Sequence, residues 1–307
     1  MTHISKTVYN NWPNCIELKN EKLKLIVTTD IGPRIIYCGT TDSGNNLFFQ
    51  NKDQQGKMKS AEWLHYGGHR LWHSPQMGYR PNQPDNDPVP YTISNDGLLL
   101  KCPEEAATKI QKEMEITLDA AGPVAHIKHR IYNRGLWPIK LAPWALTMMA
   151  EGGTLILPIP KNDTWFMPNY AVSFWPWTRP NDHRFTLGER YMTVRQDITD
   201  ERWFKIGYRN NESWGAYIVN GYMFVKNYIP VPDAEYPDYN STFETYTDNN
   251  FLELETLGPL TTLEPGTFTE HTEDWHIFGN VVLPSSESEM DKMVNQYLRV
   301  ITQRQSG

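Results

Sequence analysis

Short strand-like runs recur along this chain at intervals of roughly ten residues, a spacing that fits an all-β sandwich or barrel and little else. They lie at 15–18, 23–27, 34–38, 47–49, 91–94, 98–102, 110–118, 125–132, 139–149, 154–159, 190–194, 204–208, 214–219, 222–228, 242–246, 251–257 and 268–278. Between them stand turn formers such as Asp30-Ile31-Gly32-Pro33, which break strands by supplying special backbone angles or removing a donor. No repeat of 20 to 50 residues is visible, which argues against a propeller or solenoid. One helix is expected, at about 286–302. Ser286 and Glu289 form a capping box, and Met290, Met293, Val294, Tyr297, Leu298 and Ile301 share one face. That face should pack on a sheet edge or outer face. No linker composition interrupts the chain, so residues 1–307 read as a single domain.

Charge narrows the function classes. The net charge is -7 with a pI near 5.7 and no basic run, so nucleic acid and anionic membrane surfaces lack their electrostatic footprint. The start, Met1-Thr2-His3-Ile4-Ser5-Lys6, has no apolar core of a signal peptide, and no apolar run approaches a membrane span. The reading is a cytoplasmic protein. Cys15, Cys38 and Cys102 are odd in number and far apart, which fits buried thiols and neither a disulfide framework nor a zinc knuckle. No cofactor and no metal is expected. The chain carries 11 Trp and 16 Tyr, more than a core of this size requires, so some should line a groove for a flat, hydroxylated ligand.

Two places concentrate chemistry. In Phe251-Leu252-Glu253-Leu254-Glu255 apolar and acidic residues alternate, placing Glu253 and Glu255 on one strand face. Either this is the solvated outer face of an antiparallel strand, or the two carboxylates repel and lose hydration, so that at least one titrates high enough to act as a general acid or base near neutral pH. The other place is residues 51–90, read as a long ordered loop around Trp63-Leu64-His65-Tyr66-Gly67-Gly68-His69-Arg70-Leu71-Trp72-His73-Ser74-Pro75. His65, His69 and His73 recur every fourth residue, but the glycines and Pro75 make a helical metal stripe doubtful there. His69 and His73 are instead candidate ligand contacts, His69 also a candidate acid, and Arg70 a candidate ligand clamp. Trp72, Trp165, Trp175 and Trp177 are candidates for stacking on a flat, hydroxylated ligand. Lys226, a charge in the apolar run Met223-Phe224-Val225-Lys226, is either at the surface or opposite Glu253 and Glu255. His126 and His129 fall on opposite faces of one strand. There is no nucleophile elbow and no phosphate loop.

Taken in order, these pieces resemble the galactose mutarotase-like superfamily, the aldose 1-epimerase group and its relatives. The resemblance rests on the opening hairpin Leu23 to Ile36, on Gly67-Gly68-His69-Arg70, on Ile127 to Asn133 with the strand after it, on Glu255 in Leu254-Glu255-Thr256, and on the closing Trp275-His276-Ile277. It implies a β-supersandwich whose concave face binds a sugar or oligosaccharide, with Glu255 as the base that deprotonates the anomeric hydroxyl. Arg70, Trp72, His73, Glu253 and Lys226 would then surround the substrate. Where the family carries its acid histidine, this chain has Pro143-Trp144-Ala145-Leu146. The acid has therefore moved, with His69 the first candidate, or the reaction differs, or the protein only binds sugar. A glycan lyase or hydrolase on the same scaffold is a further alternative.

Overall fold

The computed structural model describes residues 2–161 and 164–299. Its strands form two antiparallel sheets. The first has 11 strands. Its order is β1 (His3–Tyr9), β2 (Trp12–Lys19), β3 (Leu23–Thr28), β4 (Arg34–Thr40), β5 (Gly68–Ser74), β10 (Ile139–Met149), β19 (Leu252–Leu257), β18 (Phe243–Thr247), β15 (Phe204–Tyr208) and β12 (Val172–Phe174), with β20 (Thr261–Leu263) attached to β10. The second, of 10 strands, runs β13 (Phe185–Leu187), β14 (Tyr191–Arg195), β11 (Thr154–Pro158), β16 (Trp214–Val219), β17 (Tyr222–Tyr228), β21 (Phe268–Gly279), β9 (Val124–Asn133), β8 (Ile110–Leu118), β7 (Gly97–Lys101) and β6 (Tyr91–Ile93).

A continuous apolar core, including Leu25, Phe48, Leu71, Ile127, Phe224, Leu252, Leu254 and Trp275, lies between the sheets. Alternation assigns each strand's faces: on β19, Leu252 and Leu254 join that core while Glu253 and Glu255 turn the other way. All three cysteines are buried free thiols. No helix of the described residues is long and apolar enough to cross a membrane.

Two expectations need correction. Residues 51–90 are not one loop, because β5 runs through them in the middle of the first sheet, paired with β4 and β10. Its sequence, Gly-His-Arg-Leu-Trp-His-Ser, hides the strand: four of seven side chains are polar, Gly67 precedes it and Gly68 opens it with positive φ, and Pro75 follows it. The C-terminal helix is α-helical over Glu287–Met293 and continues as a π turn over Val294–Leu298, so its regular part is shorter than expected. Ser286 Oγ accepts from the Glu289 amide, whereas the Glu289 carboxylate reaches Ser285 instead of Ser286. Met293 and Leu298 pack with Ile156, Trp214 and Val225 on the second sheet's outer face, and Ile301 lies outside the described residues.

Candidate functional site

The adjacent strands β5, β10, β19, β18 and β15 set side chains in rows on the outer face of the first sheet. Register aligns Arg70, Leu146, Glu255 and Glu244 in one row, Met148, Glu253, Tyr246 and Lys205 in the next, and Trp72, Trp144 and Leu257 on the other side. The first row ends at Gly207, where a Cβ would stand 2.7 Å from Ser241 Oγ and 3.1 Å from Glu244 Cγ. A larger residue there would push Glu244 out of place.

Above these rows lies a cavity of about 710 Å3, walled by Trp72, Trp144, Trp175, Trp177, Trp203 and Tyr246, with Arg70, Lys205, Glu253, Asp248, Asp238 and His65 supplying its polar lining. The Arg70 guanidinium stacks 3.8 Å from the Trp72 ring centroid and extends Nη2 to Glu253 Oε1 at 3.5 Å. Lys205 sits between the rings of Trp144 and Trp175, at 4.6 and 4.7 Å, and donates to Glu255 Oε2 at 2.8 Å, with Glu244 Oε2 also 2.8 Å away. Trp144 Nε1 donates to the same Glu255 oxygen at 2.7 Å.

Burial and like charge govern the titration of these groups. Burial and then the neighbouring Glu255 push the Glu253 carboxyl up to about 7, against the opposing pull of Arg70 and Lys205. Burial likewise raises Glu244 well above the ordinary range. For Lys205 burial works against the charge, but Glu244 and Glu255 overcome it and raise its pKa. Burial and the cations Arg70 and Arg34 lower the pKa of His65. Arg70 Nε and Nη1, Trp72 Nε1 and Glu255 Oε1 are buried without a protein hydrogen-bond partner.

No protein-family model and no curated protein matches this chain by sequence. As a three-dimensional structure it is similar to a galactose mutarotase-like protein from Lactobacillus casei, with a TM-score of 0.57 and 10% identity, over 86% of this chain and 100% of the other. A galactose mutarotase-like protein from Clostridium acetobutylicum gives a TM-score of 0.55 at 11% identity over 91% and 99%. The chain has the galactose mutarotase-like fold. A Synechocystis protein is similar to it as well, with a TM-score of 0.57 and 11% identity over 87% and 96% of the two chains.

In this fold, β5 divides the residues singled out from the sequence. Arg70 and Trp72 face the groove with Glu253, and Glu255 lies on the same face beneath Lys205. His69 and His73 alternate with them and point between the sheets, both with no exposed surface. They do not line the groove, because odd and even positions of a strand cannot share a face. Lys226 is also internal: its Nζ is 2.9 Å from Glu273 Oε1 and donates to the backbone oxygens of Leu254 and Ala145 at 3.0 and 3.2 Å, so it meets neither Glu253 nor Glu255. Trp175 and Trp177 line the groove, whereas Trp165 stands exposed on a turn at 164–167. Glu244, Lys205, Trp144, Asp248 and Asp238 were not singled out. Lys205 in Phe204-Lys205-Ile206 carries the signal that drew attention to Lys226, a lone charge in an apolar strand.

The internal histidines form a network of their own. His69 Nε2 and His129 Nε2 are 2.8 Å apart, His69 Nδ1 bonds Thr147 Oγ1 at 2.8 Å, and His271 Nε2 bonds Thr256 Oγ1 at 2.7 Å. Burial lowers all three histidines, His271 to about 3. Burial alone would raise Glu273, yet the Lys226 ammonium holds it well below the usual range. His69, His129 and Glu273 have ligand atoms close enough to hold a metal ion. Their lone pairs are already engaged, however: Glu273 accepts from Thr256 and from Trp275 Nε1 as well as facing Lys226. The chemistry of the cluster is that of a hydrogen-bonded core.

Proposed function

We propose that the groove binds a sugar and interconverts its anomers, in the manner of an aldose 1-epimerase, with Glu253 carrying the proton. The observation behind this reading is a buried carboxyl titrating near 7 in an aromatic-walled groove beside a guanidinium. A carboxyl poised there takes the anomeric proton and returns it with little driving force lost in either direction. Trp72 and Trp175 offer apolar faces to the C–H patch of a pyranose, and the open donors of Arg70 and Trp72 suit ring and hydroxyl oxygens. Glu255 takes a supporting part, since Trp144 and Lys205 already occupy one of its oxygens. The similarity to proteins described as galactose mutarotase-like supports the same substrate class.

Proton NMR of anomeric exchange tests it, using freshly dissolved aldoses, uronic acids and sugar phosphates. Acceleration on one sugar class that falls about a hundredfold or more in Glu253→Gln, with the fold intact, is the expected result. A loss below tenfold removes Glu253 from the chemistry. A non-catalytic sugar-binding reading is favoured by one observation: burial and the nearby Arg70 and Arg34 lower the pKa of His65, the histidine lining the groove, which weakens it as a proton donor to the ring oxygen. Selective binding without acceleration on any sugar would establish that second reading.

A further inference from the structure

The segment 230–241, which joins β17 to β18, builds one end of the groove and then turns away from it. Asp238, Tyr239 and Asn240 have φ of 52°, 58° and 69°, three successive left-handed residues with no glycine among them, a conformation that costs L-residues energy and persists only where the surroundings enforce it. The surroundings here do so. Ser241 Oγ and Ser173 Oγ donate to the Asp238 carbonyl at 2.7 and 3.3 Å, while the Tyr236 amide and Arg209 Nη1 donate to Asn240 Oδ1 at 2.9 and 3.2 Å. The turn so held presents the Tyr239 side chain 95% exposed.

Behind that ring is a second hollow of about 750 Å3, lined by Pro75, Asp233, Glu235, Asp238 and Tyr239 among others. It adjoins the groove. Asp238 lines both cavities, and along the opposite strand end Pro75 lines the hollow while the next residue, Gln76, lines the groove. Ser74 Oγ donates to Asp238 Oδ2 at 3.4 Å, tying the two walls together at the junction.

We propose that groove and hollow form one extended site, in which the groove holds the terminal unit of a neutral oligosaccharide and the hollow holds the next unit against Tyr239. This rests on the reading of the groove as a sugar site. The hollow's chemistry selects the class: Asp233 and Asp238 accept from sugar hydroxyls and repel anionic units, while the charge of Glu235 is balanced by Lys140 at 2.5 Å. An exposed aromatic ring beside hydroxyl acceptors matches the apolar and polar faces of a pyranose.

Isothermal titration calorimetry with glucose and galactose against lactose, maltose and cellobiose decides the matter. At least one disaccharide should bind roughly fivefold or more tightly than its own monosaccharides, the gain expected of one added ring contact. Tyr239→Asn removes the ring and keeps a residue that tolerates the left-handed region. It should bring that ratio to about one, with the melting curve showing an intact fold. Equal affinity for mono- and disaccharides overturns the extended site and leaves the groove reading standing, as does a ratio that survives Tyr239→Asn. Failure of every sugar to bind the wild type removes the groove reading and the extended site together.

Discussion

Replacing Arg70 by Met should raise the pKa of Glu253, and the size of the shift can be worked from the contact. Arg70 Nη2 and Glu253 Oε1 are 3.5 Å apart, with both side chains almost wholly buried. At that separation two unit charges attract by about 1 kcal/mol in a water-like dielectric and about 5 kcal/mol at an effective dielectric of 20. One pKa unit corresponds to about 1.4 kcal/mol, so losing the guanidinium moves Glu253 upward by roughly one to three and a half units from its value near 7. Lys205 remains to moderate the change, and Met fills much of the apolar volume over Trp72. The sign for stability follows. A carboxyl raised above its unfolded value favours the folded state when protonated, so its contribution is fully present below about pH 4.3 and is lost as pH rises through the folded value. In Arg70→Met that window extends upward. Carboxyl-detected 13C NMR titration, with Glu253→Gln to assign the resonance, reads both values without any substrate. A wild-type midpoint near 4.3, or an Arg70→Met midpoint equal to or below the wild type, would refute the electrostatic argument.

Two further outcomes can be checked on the purified protein. Lys226→Met leaves Glu273 as a buried charge without its cation and should destabilise the fold by about 3–5 kcal/mol in denaturant titration; a change under about 1 kcal/mol would mean that Glu273 had taken up a proton at little cost. His126 bridges Asp274 at 2.6 Å and Asp119 at 3.0 Å, and these carboxylates, Asp274 first, raise it to about 9. Its stabilisation is therefore complete below about pH 6.5 and lost as pH rises through 9. Because the pair is over a third exposed, His126→Gln should cost about 1 kcal/mol or less at pH 6, with the difference vanishing above pH 9 in melting curves.

The strand order of composition, the paired carboxylates and the aromatic surplus were legible because each depends on period-two alternation or on bulk chemistry. Alternation put Phe251 and Glu253 on one face and Leu252 and Leu254 on the other, and in the structure the first pair lines the groove and the second joins the core. It failed at β5 for a physical reason. The inner face of that strand carries His69, which bonds Thr147 and His129, and His73, whose Nε2 meets the Arg80 backbone oxygen while the Asn82 side chain bonds the His73 main chain, and no sequence rule announces such partners. Read as loop, the stretch kept His69, Arg70, Trp72 and His73 together; as strand, it separates them. The run at 143–146 was noticed for lacking a histidine, yet Trp144 within it is the donor that fixes Glu255. Lys205 and Glu244 come from strands far apart in the chain, and only the register across β15, β18 and β19 reveals that they meet.

The hydrogen-bonded cluster between the sheets bears on how this sandwich reaches a single arrangement. Two apolar sheet faces can slide past one another with small change in energy, since one aliphatic contact replaces another. Thr147, His69, His129, His271, Thr256, Glu273 and Lys226 cannot slide, because each donor finds its acceptor at one alignment. A one-residue slip of β5 would carry Arg70 into the interior and His69 to the surface, stranding a guanidinium and breaking the histidine pair in the same step. The cluster thus works as a detent: it makes near-miss pairings expensive, and by doing so on the hidden side of the sheet it leaves the opposite side of the same strands free to diverge toward a new ligand.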